Sequence, residues 1–169
     1  MDSVKIMKRA MMFIDGANIF HGCRNFQKNY KIDYVKVRQE LTKDYDLIRA
    51  YFYEGIDPED ESKRSFHSAL QKQGFHIESR HLLKRNGGFQ EKGIDVMLTT
   101  ELLTHAFKDN FDVAVIMSGD QDYIVALNEV KREGKKIVLA SFKNSFSKDI
   151  QEIADEVIFI DDIAEIIKR

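Results

Sequence analysis

The sequence predicts an α/β fold, a three-layer α/β/α sandwich with a mainly parallel central sheet. Three observations support this fold class. Short apolar runs alternate with helical patterns along the whole chain. Several of these runs are hydrophobic throughout, which is typical of strands covered by helices on both faces. The connections between runs and helices are short, and such strand–helix–strand repetition builds a parallel sheet between two helical layers.

Six apolar runs are the predicted strands. They lie at Ala10–Asp15, Leu47–Tyr53, Phe75–Leu83, Asp112–Met117, Lys136–Phe142 and Val157–Ile160. Helical patterns fill the intervals, at Ile19–Gln27, Tyr34–Thr42, Asp60–Gln73, Asp95–Phe107, Tyr123–Glu133, Ser147–Ala154 and Ile163–Lys168. Pro58 precedes a helix that Glu59 or Asp60 can start, and Gly134 is a typical C-cap before the fifth strand.

The composition sets limits on the class of protein. The chain has 169 residues, which fits a single domain spanning 1–169. Apolar residues make up 43% and charged residues 32%, so a disordered chain is excluded. The net charge of -2 neither requires nor excludes nucleic acid, because a basic face can lie within a neutral total.

The location is predicted from the cysteine content and from apolar run lengths. The only cysteine, Cys23, cannot form an internal disulfide, so a reducing cytosol is expected. No apolar run approaches the roughly 20 residues of a membrane span, and the N-terminus lacks the apolar core of a signal peptide. We therefore expect a cytoplasmic protein that does not bind membranes. The oligomeric state stays open, a homodimer included.

Acidic residues gather at one predicted edge of the sheet. Asp15 ends the first strand, Asp120 follows the run "FDVAVIM", and Asp122 opens the next helix. A fourth acid, Asp95, lies in the first turn of its own helix. Ligands of open α/β sheets bind at the carboxyl ends of the strands. Because clustered carboxylates repel, they are normally held by a hard cation, and an oxygen-only set favours Mg²⁺ or Mn²⁺ over zinc.

Helix capping is the alternative explanation for these acids. Aspartate is a favoured N-cap, so Asp120 or Asp122 can cap the helix that follows, and Asp95 can cap its own. Capping is not expected at Asp15, which ends a buried strand and is followed by "GAN". Capping also gives no reason for the acids to gather at one edge.

Three segments resemble the signature segments of a known family. They are "FIDGANIF", "KGIDVMLTTELL" and "VIMSGDQDY", and they are similar to the NYN domain in the LabA-like branch of the PIN-like nuclease superfamily. The C-terminal "NSFSKDIQEIADEVIFID" also resembles that branch, so the resemblance covers roughly 11–162. It implies a PIN-like fold and metal-dependent cleavage of RNA, single-stranded or structured. Relatives often carry Phe where this chain has Tyr123, a departure not expected to affect a metal.

The resemblance also implies the site residues. By matching positions, it implies that four aspartates are catalytic and bind the metal: Asp15, Asp95, Asp120 and Asp122. It also implies two polar, substrate-binding neighbours, Asn18 and Ser118. Asp15 and Asp120 are expected to be the most direct ligands because strands fix them, whereas Asp95 and Asp122 bind directly or through water. Two metal ions about 3.5–4 Å apart can activate a water and neutralise a phosphodiester. Asn18 can orient a water or a phosphate oxygen.

The segment "LLKRNGGFQEKG" has two explanations. Lys84, Arg85 and Lys92 can contact phosphates, and Phe89 can stack on a base. The alternative is a flexible turn between a strand and a helix, for which "NGG" is a common signal. The sequence leaves both open.

Other functions are weighed against the nuclease. A non-catalytic RNA- or protein-binding module with the same fold is one, although the presence of all four acids argues against lost activity. A haloacid-dehalogenase-like enzyme would need a second Asp where Ala17 stands. A receiver-type phosphoacceptor would need an acid where Ile14 stands. The five histidines and Cys23 lack motif spacing and are predicted to be structural.

Overall fold

A parallel sheet forms the centre of the computed structural model. The structure describes residues 6–90 and 93–169. Within these ranges the chain forms eight strands: β1 Arg9–Asp15, β2 Asp46–Ile56, β3 His76–His81, β4 Leu83–Arg85, β5 Gly88–Gln90, β6 Val113–Met117, β7 Lys136–Ser141 and β8 Glu156–Phe159. Six of them pair in the order β3-β2-β1-β6-β7-β8, and all of these pairings are parallel. The short strands β4 and β5 form a separate antiparallel hairpin.

Helices cover both faces of the sheet. The described ranges contain seven α-helices: α1 Gly16–Phe26, α2 Tyr34–Thr42, α3 Glu61–Lys72, α4 Ile94–Phe107, α5 Ile124–Arg132, α6 Lys148–Ile153 and α7 Ile160–Ile167. One layer is made of α1, α2, α3 and α7, and the other of α4, α5 and α6. The predicted α/β/α sandwich is confirmed. No helix in the described ranges is long and apolar enough to cross a membrane.

The central strands β1, β6 and β7 are buried on both faces, which explains their continuous apolar runs. In β1, Met12 and Ile14 pack into one core, and Met11 and Phe13 pack into the other. Successive side chains of a strand point to opposite faces. By this alternation Asp15 follows Phe13 onto the face that α4 and α5 cover.

The first strand runs directly into the first helix. We predicted that the helix begins at Ile19, but α1 begins at Gly16, immediately after Asp15. Gly16 permits this tight junction, because a Cβ atom there would lie 2.7 Å from the Phe52 ring and 2.9 Å from the Tyr53 carbonyl oxygen. The missing side chain therefore lets α1 approach β2 closely.

Other predicted boundaries differ in informative ways. The third predicted strand, Phe75–Leu83, is divided, since β3 ends at His81 and β4 begins at Leu83. Part of the segment expected to be a loop is thus the β4–β5 hairpin. The structure does not describe the side chains of Lys84 and Arg85, and Lys92 lies outside the described residues.

The predicted helix signals are confirmed. Asp60 is the N-cap of α3 and accepts the backbone N–H of Lys63 at 2.9 Å. Gly134 follows α5 with φ of 75°, a conformation that glycine adopts without strain.

Candidate active site

Asp15 is the centre of the site at the carboxyl edge. Its side chain is buried, with 8% of the residue exposed. One carboxylate oxygen, Oδ1, accepts the backbone N–H of Asn18 at 3.1 Å, so Asp15 is the N-cap of α1. Our prediction that capping does not apply to Asp15 was wrong, because the helix begins directly after the strand. The other oxygen, Oδ2, accepts hydrogen bonds from the hydroxyls of Ser118 at 3.3 Å and Tyr123 at 3.0 Å.

The loop after β6 is fixed against Asp15 by polar contacts. The Asn18 side-chain oxygen accepts the backbone N–H of Gly119 at 3.2 Å. The Ser118 hydroxyl accepts the backbone N–H of Asp120 at 3.2 Å. Asp120 in turn accepts the N–H of Asp122 at 3.0 Å and caps a short 3-10 turn, Gln121–Tyr123. Asn18 and Ser118 therefore position this loop, whatever they bind.

Gly119 allows the same loop to pack against the chain before α6. A Cβ atom at Gly119 would lie 2.0 Å from the carbonyl oxygen of Ser145. The Gly119 carbonyl accepts the backbone N–H of Ser147 at 3.1 Å. Because backbone atoms cannot yield as a flexible side chain can, a larger residue at 119 would displace the loop that carries Asp120.

The charges around Asp15 are unfavourable to its ionised form. Burial raises the pKa of Asp15 above its ordinary value, and the nearby Asp120 raises it further. Hydrogen bonds from Asn18, Tyr123 and Ser118 oppose this rise. The Tyr123 pKa is also raised, first by burial and then by Asp15, Asp120 and Asp95. Three carboxylates thus act on one buried hydroxyl.

The four predicted acids have different surroundings. Asp95 is exposed in the first turn of α4, whose N-cap is Gly93, so Asp95 is not the capping residue. Asp122 is also exposed, and its backbone N–H donates to Asp120. Asp15, Asp120 and Asp95 all raise the Tyr123 pKa, and Asp15 contacts its hydroxyl directly. The contacts of the described residues do not bring the Asp122 carboxylate to Asp15.

The donor set is compatible with a divalent cation. Among the described residues, no three His, Cys, Asp or Glu side chains gather closely enough to hold a metal by themselves. Mg²⁺, however, is usually bound by one or two carboxylates and keeps several waters. A carboxylate has about four acceptor positions, and Asp15 uses three of them within the protein. Asp15 and Asp120 with ordered water therefore fit a hard cation.

Tyr123 is a neighbour of Asp15 that the sequence did not predict. It was expected to be irrelevant to a metal, yet its hydroxyl donates directly to Asp15. The residue is 2% exposed. A buried tyrosine hydroxyl normally requires a hydrogen-bond partner. The sequence signal for this contact was a tyrosine next to the acids in a segment that the core would bury.

The fold and the site together define a class of protein. A parallel α/β/α sheet with acids beyond β1 and β6 is the arrangement of a nuclease-like, PIN-like domain. The model of the NYN domain matches residues 9–161, and the chain belongs to this nuclease-like family.

Two proteins and one solved structure are similar to this chain over most of its length. The chain is 26% identical over 172 residues to low amplitude and bright protein LabA of Synechococcus elongatus, covering 95% of this chain and 88% of LabA. It is 27% identical over 152 residues to an uncharacterized protein of Methanocaldococcus jannaschii, covering 90% of this chain and 55% of that one. A crystal structure of a Vibrio parahaemolyticus protein of unknown function shares the fold, with a TM-score of 0.82, 24% identity and full coverage of both chains.

Proposed function

We propose that this protein is a cytoplasmic, metal-dependent endoribonuclease that hydrolyses phosphodiester bonds of single-stranded or structured RNA. The observation that carries the proposal is the buried carboxylate of Asp15 with a second acid beside it. Ionised carboxylates in such a place cost free energy unless a cation compensates them. Mg²⁺ or Mn²⁺ is the cation that this oxygen donor set favours.

The side chains of the site have distinct tasks in this proposal. Asp15 and Asp120 would hold the cation directly, and Asp95 through water. A cation held there would supply charge neutralisation at the phosphate and an activated water. Hydrogen bonds from Ser118 and Tyr123 fix the Asp15 carboxylate, so it needs little reorganisation to bind.

Asn18 is suited to contact the substrate. Its side-chain oxygen is already bonded to Gly119, so the NH₂ group is the part that can donate to a water or a phosphate oxygen. Ser118 holds Asp120 through its backbone. For Asp122, Lys84, Arg85 and Lys92, roles at the metal and at the RNA stay predictions from the sequence.

One observation favours a second function, a non-catalytic RNA- or protein-binding module. Three protein donors already satisfy Asp15, so its carboxylate has a structural partner set that needs no cation. In that case the acids would cap α1 and the 3-10 turn and do nothing more.

An RNA cleavage assay distinguishes the two functions. End-labelled single-stranded and hairpin RNAs are incubated with the protein in Mg²⁺, in Mn²⁺ and in EDTA. The proposal requires cleavage that either metal supports, that EDTA stops and that Asp15→Asn abolishes. Asp44→Asn, an exposed aspartate before β2 purified identically, is the matched control for contaminating nucleases. RNA bound but left intact in both metals would support the binding module.

A further inference from the structure

A cavity lies beside α1, the helix that Asp15 caps. Its volume is about 790 Å³, and it opens between α1, α2 and α3. Pockets of this size accept ligands of nucleotide dimensions. The cavity begins at Gly16, the residue directly after Asp15, and extends along α1 to the segment after it. We call it the α1 cleft. It therefore starts beside the acidic site but uses different side chains.

One face of α1 connects the acidic site to the far end of the α1 cleft. Gly16, Phe20 and Arg24 line the cleft at intervals of four residues, so they lie on the same face of the helix. At 1.5 Å per residue they extend about 12 Å from the site. Phe20 is 53% exposed, and the guanidinium carbon of Arg24 lies 5.9 Å from its ring centroid. An aromatic ring is thus presented to solvent beside a cation.

The wall opposite α1 is aromatic. Tyr34 and Phe52 have ring centroids 5.1 Å apart, and Phe66 lies 5.8 Å from Phe52. All three line the cleft. Tyr34 and Phe52 are buried and Phe66 is half-buried, so Phe20 is the exposed ring beside this wall. An exposed aromatic ring with adjacent cations is a feature that proteins use to stack bases and hold the backbone of single strands.

The charges of the α1 cleft are complementary to phosphate. The buried Glu54 already has partners within the protein, an ion pair with Lys63 at 3.1 Å and a hydrogen bond with the His67 ring at 2.7 Å. Arg24, Lys28 and Lys31 are exposed and line the cleft. None of these three forms an ion pair with any residue of the described ranges. This local positive charge contrasts with the net charge of -2 of the chain.

We propose that the α1 cleft binds the single-stranded RNA that flanks the phosphodiester held at Asp15. A base stacks on Phe20, and Arg24 and Lys28 bind the phosphates that follow. The inference rests on the proposed function, because it takes the RNA strand from the acidic site along α1. The inference requires that the RNA be unpaired at this position, since a paired base has no face free to stack on Phe20.

Each feature also has a structural explanation. A cation in the last turn of a helix stabilises the helix C-terminus, and Arg24 occupies that position in α1. Single exposed apolar residues such as Phe20 are common on protein surfaces. These explanations predict effects on stability, whereas the proposal predicts effects on RNA affinity, so the two are separable by experiment.

The test is equilibrium binding of a fluorescently labelled ten-nucleotide RNA, followed by anisotropy in EDTA so that no cleavage occurs. Phe20→Ala should weaken binding about tenfold, the size of one lost base stack. Arg24→Ala with Lys28→Ala should reduce the slope of log K against log salt by about 1.4, because two fewer phosphates are neutralised on a single strand.

Matched controls come from the same chain. Phe107 is 58% exposed at the end of α4, and Arg132 lies in the last turn of α5. Neither lines the α1 cleft. Phe107→Ala and Arg132→Ala should bind RNA like the parent, and a duplex of the same sequence should bind the parent more weakly than the single strand. Thermal melts verify that every variant is folded.

Two results would overturn the inference. One is a parent that does not bind the single strand, and the other is a set of cleft variants with the affinity and salt slope of the controls. Neither result depends on catalysis. If the parent cleaves RNA and the cleft variants bind RNA normally, the proposed function stands and the proposal for the cleft fails. If the parent binds RNA through the cleft but cleaves none, the nuclease proposal fails and the proposal for the cleft stands.

Discussion

The two edges of the β1–β6 pair carry aspartates in opposite electrostatic situations. At the amino edge, Asp112 forms an ion pair with Arg9 at 2.9 Å and also accepts the Arg9 backbone N–H. Beside it, Asp109 forms ion pairs with Arg9 and Lys135. Hydrogen bonds from these cations lower the pKa of Asp112 and of Asp109. At the carboxyl edge, burial and a second acid raise the pKa of Asp15.

The difference separates structural acids from candidate functional ones. The amino-edge acids receive their cations from the chain itself, and their ionised forms are already stabilised. Asp15 has only uncharged donors and a neighbouring carboxylate, so its ionised form is incompletely compensated. A bound cation would compensate the carboxylates at the carboxyl edge, whereas those at the amino edge are already compensated by the chain.

The largest expected effect is on RNA cleavage. Asp15→Asn should lower the cleavage rate by more than about 100-fold, because it removes a direct metal ligand rather than an outer partner. Asp112→Asn should leave the rate near that of the parent. Single-turnover cleavage of a labelled RNA in Mg²⁺ measures both. Equal rates for the two variants would remove the functional distinction between the edges.

The next effect is on metal-dependent stability. Asp120→Asn removes the charge that raises the Asp15 pKa and keeps an oxygen to accept the Asp122 N–H. In EDTA the variant should be as stable as the parent, or more stable by about 1 kcal/mol. Magnesium at a hundredfold excess over its Kd should raise the melting temperature of the parent by about 5 °C or more. It should do little for Asp120→Asn.

Thermal melts of each protein in EDTA, in millimolar Mg²⁺ and in millimolar Mn²⁺ measure this effect. Asp112→Asn is the control, since it removes a charge from the other edge and should retain the full response to magnesium. If the parent melts at the same temperature with EDTA, Mg²⁺ and Mn²⁺, the acids act as caps alone.

The sequence predicted most of the architecture for identifiable physical reasons. Strands such as Val113–Met117 are buried on both faces, so their apolar runs are continuous and easily recognised. Caps such as Asp60 have local signals, and the structure contains them. The placement of Asp15 and Asp120 at one edge followed from the parallel topology alone.

The sequence did not predict the long-range contacts. The helix at Gly16 begins three residues earlier than predicted, because its tight junction depends on packing against Phe52, thirty-six positions away in the chain. The hydrogen bond from Tyr123 to Asp15 likewise joins residues of two different strand ends. Periodicity describes one element at a time, so it does not show which hydroxyl will reach a buried carboxylate.

The Tyr123 hydroxyl therefore provides a third prediction. Tyr123→Phe removes one donor from a buried carboxylate and should cost about 1.5 kcal/mol in EDTA. Part of the loss should be recovered in Mg²⁺, since a cation would compensate Asp15 instead. Tyr30→Phe is the matched control, because the Tyr30 hydroxyl donates to the backbone carbonyl of Ala164 and not to a carboxylate. A deficit at Tyr123 that magnesium leaves unchanged, as at Tyr30, would place the metal away from Asp15.

The smallest expected effect concerns Asp112 at the amino edge, and it is a change in how stability depends on pH. Because Arg9 lowers the Asp112 pKa, this carboxylate stabilises the fold above the ordinary aspartate pKa of about 3.9 and loses that contribution as the pH falls through the lowered value. Asp112→Asn should therefore melt slightly below the parent at pH 7, and the difference should disappear in acid. High salt should also reduce it, because the pair is partly exposed. Melting temperatures of both proteins from pH 7 to pH 2, at low and high salt, measure the effect. A difference that stayed constant across this range would mean that the hydrogen bonds of Asp112, rather than its charge, connect the two strands.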